Sequence, residues 1–522
     1  MTSTKYLKFP LLFTLVLALV AMPALAQELE TVPMETTPEG AEYFSGRILV
    51  QFAPSVSDEM IETVATQRGC TVEGEEFAGF HVLTFPEEMS EIEMAETFAA
   101  DPDCEWASPD FVFRPHSHTA FPIPPNDPFY GFQTHLSLID VEGAWATTIG
   151  DEDVAVAVID SGVAYENRPI PPNEAANLPA GQTDYVLAPD LAQTHFVPGF
   201  DFFNNDPYAN DDRNHGTSVT ATITQDTNNG LRTAGVAPGV TIMPIKVTGF
   251  TNSGPFSALI NGLAFALANA DDIDVINMSL GFSAGASDPA FDFFFVPLDD
   301  LLDALHAEGV VIVSSTGNGG VGVVSRPALN PNVIAVGSSN LDGLTRSGYS
   351  QFSSIESIAF ATPIPPTPGL PGSVEIVAPV GDFTDKDGNG IPDGVVQESF
   401  FTNQPSSGFA TLIITGTSFA SPQVAAVAAL MVSEGLQPSK DGLGVDVIRQ
   451  ILRDTSTDLG PAGYDLEFGA GQLDAAAAVS TTKVDVCHRP PGNPANAKTI
   501  NIGLSAVKAH VNNHGDTLGA CP

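Results

Sequence analysis

The spacing of hydrophobic positions divides the chain into two folded stretches and a short tail. Near the N-terminus, residues 47–52 and 80–85 read as strands, and residues 58–67 and 90–99 read as helices. That alternation predicts a small α+β domain of about 70 residues. A proline-rich run, Phe121-Pro122-Ile123-Pro124-Pro125-Asn126, reads as a linker. From about residue 127 to 479 the pattern changes. Short runs rich in Val and Ile at 154–159, 275–278, 310–313 and 333–336 suit strands buried on both faces. Helical stretches at 258–269 and 301–308 lie between them. Strands alternating with helices predict an α/β domain built on a parallel sheet. A tail, 486–522, follows the small-residue run Ala475-Ala476-Ala477-Ala478.

The first 26 residues stand apart. Lys5 and Lys8 precede an apolar run at 11–20 and then Ala24-Leu25-Ala26, the pattern of a signal peptide cleaved after Ala26. No later segment offers about 18 uninterrupted apolar residues, so a secreted, soluble mature chain without a transmembrane segment is expected. Export also changes how the four cysteines read, because an even count outside the cytoplasm suggests disulfides. The most local pairing is Cys70–Cys104 and Cys487–Cys521.

Charge narrows the partners. The chain holds 63 acids against 19 bases, a net charge of −44. Nucleic-acid binding and docking on an anionic membrane are disfavoured, since both need a basic face. Charged residues are only 16% of the chain, below the usual level of about 25%. The chain is therefore base-poor more than acid-rich.

Three motifs carry chemistry. The run at 154–159 leads into Asp160-Ser161-Gly162, placing a carboxylate at the carboxyl end of a buried strand, where open α/β sheets build their sites. His215-Gly216-Thr217 precedes a helical stretch at 219–224. Gly416-Thr417-Ser418-Phe419-Ala420-Ser421-Pro422 opens an apolar helix at 424–433. Ser418 would sit at that helix's N-terminus, which favours developing negative charge. Each motif alone has a purely structural reading, such as a serine N-cap. An Asp, a His and a Ser in that chain order make a nucleophilic triad. An esterase of the α/β-hydrolase kind would need Gly-x-Ser-x-Gly, whose last glycine is Ala420 here. An adhesin on a dead scaffold would not need all these groups intact.

On these motifs the chain resembles the subtilisin-like serine proteases, the subtilases of the peptidase S8 family, from residue 127 to about 479. Gly235-Val236-Ala237-Pro238, Ile276-Asn277-Met278-Ser279-Leu280-Gly281 and Thr316-Gly317-Asn318-Gly319 extend the likeness. The resemblance implies a subtilisin-like parallel sheet sandwiched by helices over 121–480. It implies a secreted endopeptidase acting on polypeptides, with Ser418 as nucleophile, His215 as base, Asp160 as its orienter and Asn318 as oxyanion donor. Gly254, Ser279, Leu280 and Gly281 would pair with extended substrate, and Gly317 would leave room for the side chain before the scissile bond. Residues 46–114, within 27–120, resemble the family's inhibitor-type propeptide, so an autoprocessed zymogen cleaved between Arg114 and Asn126 is expected, its own propeptide the first partner. Ser218, Ala221, Gln423 and Ala426 depart from the family's usual residues and put the spacing of two helices in question. A monomer is expected.

Two further stretches suggest metals. Asp385-Lys386-Asp387-Gly388-Asn389-Gly390-Ile391-Pro392-Asp393 fits the start of a calcium loop, with Asp385, Asp387, Asn389, Ile391 and Asp393 as ligands to Ca²⁺. The final glutamate of a full EF-hand is Val396. Asn228-Asn229-Gly230-Leu231 resembles the family's calcium loop, which implies Asn229 as another candidate ligand. In the small Cys/His-containing tail, His510 and His514 share one helical face, and Cys487-His488 and Cys521 add further candidate groups. A Cys487–Cys521 disulfide is favoured there over a Zn²⁺ site.

Overall fold

The computed structural model describes residues 34–36, 42–77, 80–86, 90–111, 121–175, 178, 182–353, 373–401, 408–436, 442–490, 496–513 and 515–521. The expected signal peptide, Arg114 and His514 lie outside the described residues. The chain divides into two compact units, one within 1–119 and one within 120–522. Among the described residues, no helix is long and apolar enough to cross a membrane.

The first unit is a five-stranded antiparallel sheet: β1 (Met34–Thr36), β2 (Glu42–Phe52), β3 (Thr71–Phe77), β4 (Phe80–Thr84) and β5 (Cys104–Phe111). Helices α1 (Asp58–Gln67) and α2 (Glu91–Ala99) complete it. Ile48, Val50 and Phe52 from β2 pack with Ile61, Ala65, Leu83, Met94 and Phe98 in one core. The Ser90 hydroxyl caps α2 by accepting the Glu93 N–H. One expectation needs correcting. Cys70 and Cys104 both border this core, yet both are free thiols and no Cys70–Cys104 bridge forms. The Cys70 sulfur instead lies 3.7 Å from Met94 Sδ. Burial raises the Cys70 thiol pKa, and burial with Asp101 pushes Cys104 up to about 11. Both stay protonated and serve as small apolar core groups.

The second unit is the α/β domain. Its sheet runs, in spatial order, β12 (Ile376–Pro379), β11 (Ile334–Ser339), β10 (Val311–Ser315), β9 (Val275–Met278), β6 (Ala155–Asp160), β8 (Thr241–Lys246) and β7 (Phe200–Asp201), with every pairing parallel. Side chains alternate between two cores. In β6, Val156 and Val158 face one and Ala157 and Ile159 the other. Helices α3 (His215–Thr224) and α6 (Ser421–Ser433) fill the first core through Val219, Ile223, Val424 and Leu430. Helices α4 (Phe256–Ala268) and α5 (Asp292–Ala307) fill the second through Leu263, Leu298 and Leu302. A sheet covered on both faces needs apolar residues at every strand position, which explains the unbroken Val/Ile runs.

Helix α5 starts earlier than its periodicity predicts, at Asp292, and carries Pro297 inside it. The unusual residues on α3 and α6 are accommodated. Ala221 and Ala426 are fully buried. Ser218 donates to the Asn214 carbonyl at 2.8 Å, and Gln423 Nε2 donates to the Pro379 carbonyl at 2.9 Å. A hairpin of β13 (Val395–Phe400) and β14 (Phe409–Ile414) precedes α6. The tail forms a three-stranded sheet of β15 (Lys483–His488), β16 (Lys498–Gly503) and β17 (Thr517–Leu518) beside α7 (Leu443–Asp454). It shares the first core of the α/β domain through Val484 and Val507. Cys487 and Cys521 are bonded.

Candidate active site

Parallel strands place their carboxyl ends on one edge, and the motifs gather there. Asp160 is the last residue of β6 and is buried. Its Oδ1 accepts the His215 Nδ1–H and the Ser161 N–H, each at 2.7 Å. His215 opens α3, behind Asn214 in the left-handed region. Ser418 lies in a single turn, Thr417–Phe419, just ahead of α6 rather than within it. Gly416, at φ 131°, makes the turn that presents it, a backbone angle only glycine holds without strain.

A cleft of about 630 Å³ is lined by Asp160, His215, Ser418, Asn318, Gly254, Ser279, Leu280 and Gly281 among others. The structure thus brings together all but one of the residues singled out for catalysis and substrate. Gly317 lines an adjoining cavity of about 400 Å³ with Ser325 and Gln351. A Cβ on Gly317 would collide with the Gln351 amide, and Gly317 has φ 107°.

Polar contacts fix each group. Asn318 Oδ1 accepts from the Thr417 N–H and hydroxyl, both at 2.9 Å. That pairing leaves the Asn318 Nδ2 amide without an acceptor among the described residues, in the cleft beside Ser418. The Ser418 hydroxyl donates to the Ser279 carbonyl at 3.1 Å, and the Ser279 hydroxyl donates back to the Ser418 carbonyl at 2.7 Å. Ser279 therefore anchors the serine turn as well as lining the cleft. Burial opposes a charge on His215, but the Asp160 carboxylate and its hydrogen bond outweigh it, with Asp211 adding, so the imidazole pKa is raised.

Beneath the cleft lies a polar cluster built on Asp211 and Asp212, which the sequence motifs did not single out, and on Ser161 and Thr217 from those motifs. Asp211 accepts the Ser161 hydroxyl at 2.9 Å and the Thr217 hydroxyl at 2.6 Å. Lys246, opposite Asp160 in the sheet register, is fully buried. Its Nζ donates to the Ser161 carbonyl at 2.6 Å and to Asp212 at 2.8 Å. The signal was present in the Asp-x-x-x-His spacing of Asp211 and His215.

Two carboxylate groups could hold a cation. Oxygens of Asp385, Asp387 and Asp393 lie within 4.8 Å of one another, as do those of Glu174, Asp201 and Asp206. In the first, Asn389 Nδ2 donates to Asp387 at 2.8 Å and the Ile391 N–H donates to Asn389 Oδ1 at 2.8 Å. Asp393 is buried, and its Oδ1 has no partner among the described residues. Asn229 Oδ1 accepts the Leu231 N–H at 2.7 Å, and its Nδ2 donates to Asp190 at 2.7 Å.

Comparison with known proteins places the chain in a family. The model of the subtilase family matches residues 151–471, and the fervidolysin N-terminal prodomain model matches residues 30–110. The chain belongs to the subtilase family, a family of serine-type endopeptidases, with an N-terminal prodomain ahead of the peptidase domain. It is 30% identical over 310 residues to subtilisin DY of Bacillus licheniformis, covering 58% of this chain and 92% of that protein. It is 29% identical over 360 residues to the halolysin-like extracellular serine protease Nep of Natrialba magadii, covering 68% of this chain but only 53% of that protein. Among solved structures, a protease from Pseudoalteromonas arctica superposes with a TM-score of 0.52 at 26% identity, over 68% of this chain and 98% of that one.

The buried cluster makes one prediction. Lys246→Met would leave Asp212 and its buried neighbours without their cation, at a cost of about 3–5 kcal/mol. Denaturant unfolding of that variant, compared with the parent, reads the loss directly.

Proposed function

We propose that this chain is a secreted endopeptidase, made as a zymogen, that cleaves peptide bonds through Ser418, His215 and Asp160. The observation that carries the reading is the Asp160–His215 bond at 2.7 Å, in one cleft with the Ser418 hydroxyl and an Asn318 Nδ2 that has no acceptor among the described residues. On substrate binding the Ser418 hydroxyl turns from the Ser279 carbonyl toward His215 Nε2. Its oxygen attacks the scissile carbonyl carbon while its proton passes to Nε2. The carbonyl electrons move onto oxygen, which receives the Asn318 Nδ2–H and the Ser418 N–H. Collapse breaks the C–N bond, and the imidazolium gives its proton to the leaving amine. Water then repeats the sequence on the acyl-enzyme. Gly254 and residues 279–281 hold the peptide extended, and the cavity beside Gly317 takes the side chain before the cleaved bond.

The prodomain supports production as a zymogen, with the prodomain acting as inhibitor until it is cut between Arg114 and Asn126. The basic n-region, apolar run and Ala24-Leu25-Ala26 support export through a cleaved signal peptide. The acidic loop at 385–393 supports a structural calcium ion. Asp385, Asp387 and Asp393 would repel one another without a cation, and Asp393 Oδ1, without a partner among the described residues, gives a buried oxygen able to coordinate.

Three measurements follow. Casein should be digested by the secreted protein and left intact by Ser418→Ala, while Asn318→Ala should lower kcat by about 10²–10³ with KM little changed. Equal digestion by all three would remove the endopeptidase reading. His215 accepts a proton only when neutral, and its pKa is raised, so activity is lost as pH falls through a value above the ordinary one. The acidic limb of kcat/KM on an uncharged peptide should lie above about pH 6.5. Finally, chelation by EDTA should lower the melting temperature, and Asp385→Asn should reduce the recovery that added Ca²⁺ restores. An unchanged melting temperature would exclude calcium at this loop.

A further inference from the structure

The tail holds a second polar centre, remote in sequence from the catalytic motifs. Strand β15 pairs with β17 so that Cys487 faces Thr517 and Val486 faces Leu518. The same antiparallel register sets His488 opposite Asp516. The short helical turn Ala509–Asn513 brings in His510. Both imidazoles converge on one oxygen: His488 Nδ1 lies 2.9 Å and His510 Nδ1 2.8 Å from Asp516 Oδ2. The other oxygen, Oδ1, accepts the Arg489 N–H at 2.8 Å. The Asp516 side chain is fully buried, whereas both histidines keep part of their surface open. One ligand atom from each of the three residues lies within 4.8 Å of the others.

Those distances sit close to a coordination shell. Tetrahedral zinc with bonds of about 2.0–2.1 Å keeps its ligand atoms roughly 3.3–3.4 Å apart. Opening the two N···O contacts by a few tenths of an ångström would admit an ion where the two protons now lie. The bonded Cys487 and Cys521 cannot serve as thiolate ligands. Instead the disulfide clamps the strand bearing His488 to the segment after Asp516. The sequence-level choice between a disulfide and a metal therefore dissolves: the bridge occupies the cysteines and leaves an N,N,O donor set beside it.

We propose that His488, His510 and Asp516 form a binding site for a divalent transition-metal ion, Zn²⁺ in the first instance. Each ring proton moves from Nδ1 to Nε2 through solvent as the metal takes Nδ1, so both imidazoles stay neutral ligands. Three protein ligands leave one tetrahedral position for water or an outside donor. Imidazole nitrogens select such ions over Ca²⁺, which takes oxygen.

The test uses the full chain carrying Ser418→Ala, to prevent self-digestion, dialysed against micromolar Zn²⁺ and analysed for bound metal. One zinc per chain is expected, retained in excess Ca²⁺ and retained by His215→Ala. Affinity should fall at least tenfold in His488→Ala and in His510→Ala, with near-ultraviolet circular dichroism and the count of free thiols unchanged. Co²⁺ added to the parent should give the visible absorption of tetrahedral nitrogen–oxygen ligation, a readout independent of how the variants fold. A parent chain that binds no zinc, zinc displaced by Ca²⁺, or variants that bind it as tightly as the parent would overturn the site.

Discussion

The cleft depends on keeping a buried carboxylate ionised beside an imidazole. Asp160 is only 2% exposed, and its Oδ2 meets no partner among the described residues. Its charge is held by two short donations onto Oδ1, from His215 and from the Ser161 N–H. Such charge-assisted bonds are strong in a low-dielectric interior, and they also fix direction. The Ser161 hydroxyl is held by Asp211, whose other oxygen takes the Thr217 hydroxyl from the first turn of α3. The Ser161 carbonyl is held by Lys246. Strand end, loop and helix start are thus tied through one network, and the imidazole ring has little freedom to leave Asp160. Under the proposed mechanism that is preorganisation: the base is aimed before any substrate arrives.

The frame makes such a network possible. The two cores of the α/β domain cover both faces of the sheet, so the carboxyl edge is left for function. Close approach does the rest. A Cβ on Gly216 would strike the Gly162 carbonyl, so only glycine lets α3 start against the strand that ends in Asp160. Where the chain carries polar residues at the packing of α3 and α6, those residues find buried partners instead of forcing the helices apart. Ser218 reaches Ser399 on the β13–β14 hairpin at 2.7 Å, which fastens that hairpin to α3.

Legibility in the sequence followed burial. The Val/Ile runs marked four central strands to within a few residues, because burial on both faces leaves no polar alternation to confuse them. The triad motifs were readable because each couples a glycine turn to a reactive side chain. The edge strands β3 and β5 were not, since they carry Glu73, Glu75, Glu76, Glu105 and Asp110 and lack an apolar rhythm. The start of α5 was hidden by Pro297, which reads as a loop residue. The Cys487–Cys521 pairing was legible, but the Cys70–Cys104 pairing failed for a different reason. Cys70 and Cys104 share a core, but sharing a core does not supply the geometry of a bond. Buried groups joined by tertiary contact, such as Lys246 with Asp212 or Asp516 with two histidines, have no sequence period at all.

The shortage of bases acquires a physical meaning from where the bases are. Lys246 sits by Asp212, Arg232 by Glu398, Arg449 by Glu375, and Arg326 between Asp292 and Asp299. In each pair at least one partner is buried, where an unpaired charge is most costly. Nineteen bases cannot balance 63 acids, and at a net −44 the acidic surface repels itself. Among the described residues, two carboxylate triplets are left without a direct Lys or Arg ion pair: Glu174, Asp201 and Asp206, and Asp385, Asp387 and Asp393. Burial pushes Asp201 up to about 6 despite the nearby Lys246, and Glu174 Oε1 has no partner among the described residues. Such clusters are stable only if protonated or if a cation comes from solution. In a base-poor chain the second route costs no further side chain. That argument connects the composition to the calcium proposed at the 385–393 loop: a chain this short of bases pairs several of them with buried acids and has none in direct contact with these two triplets.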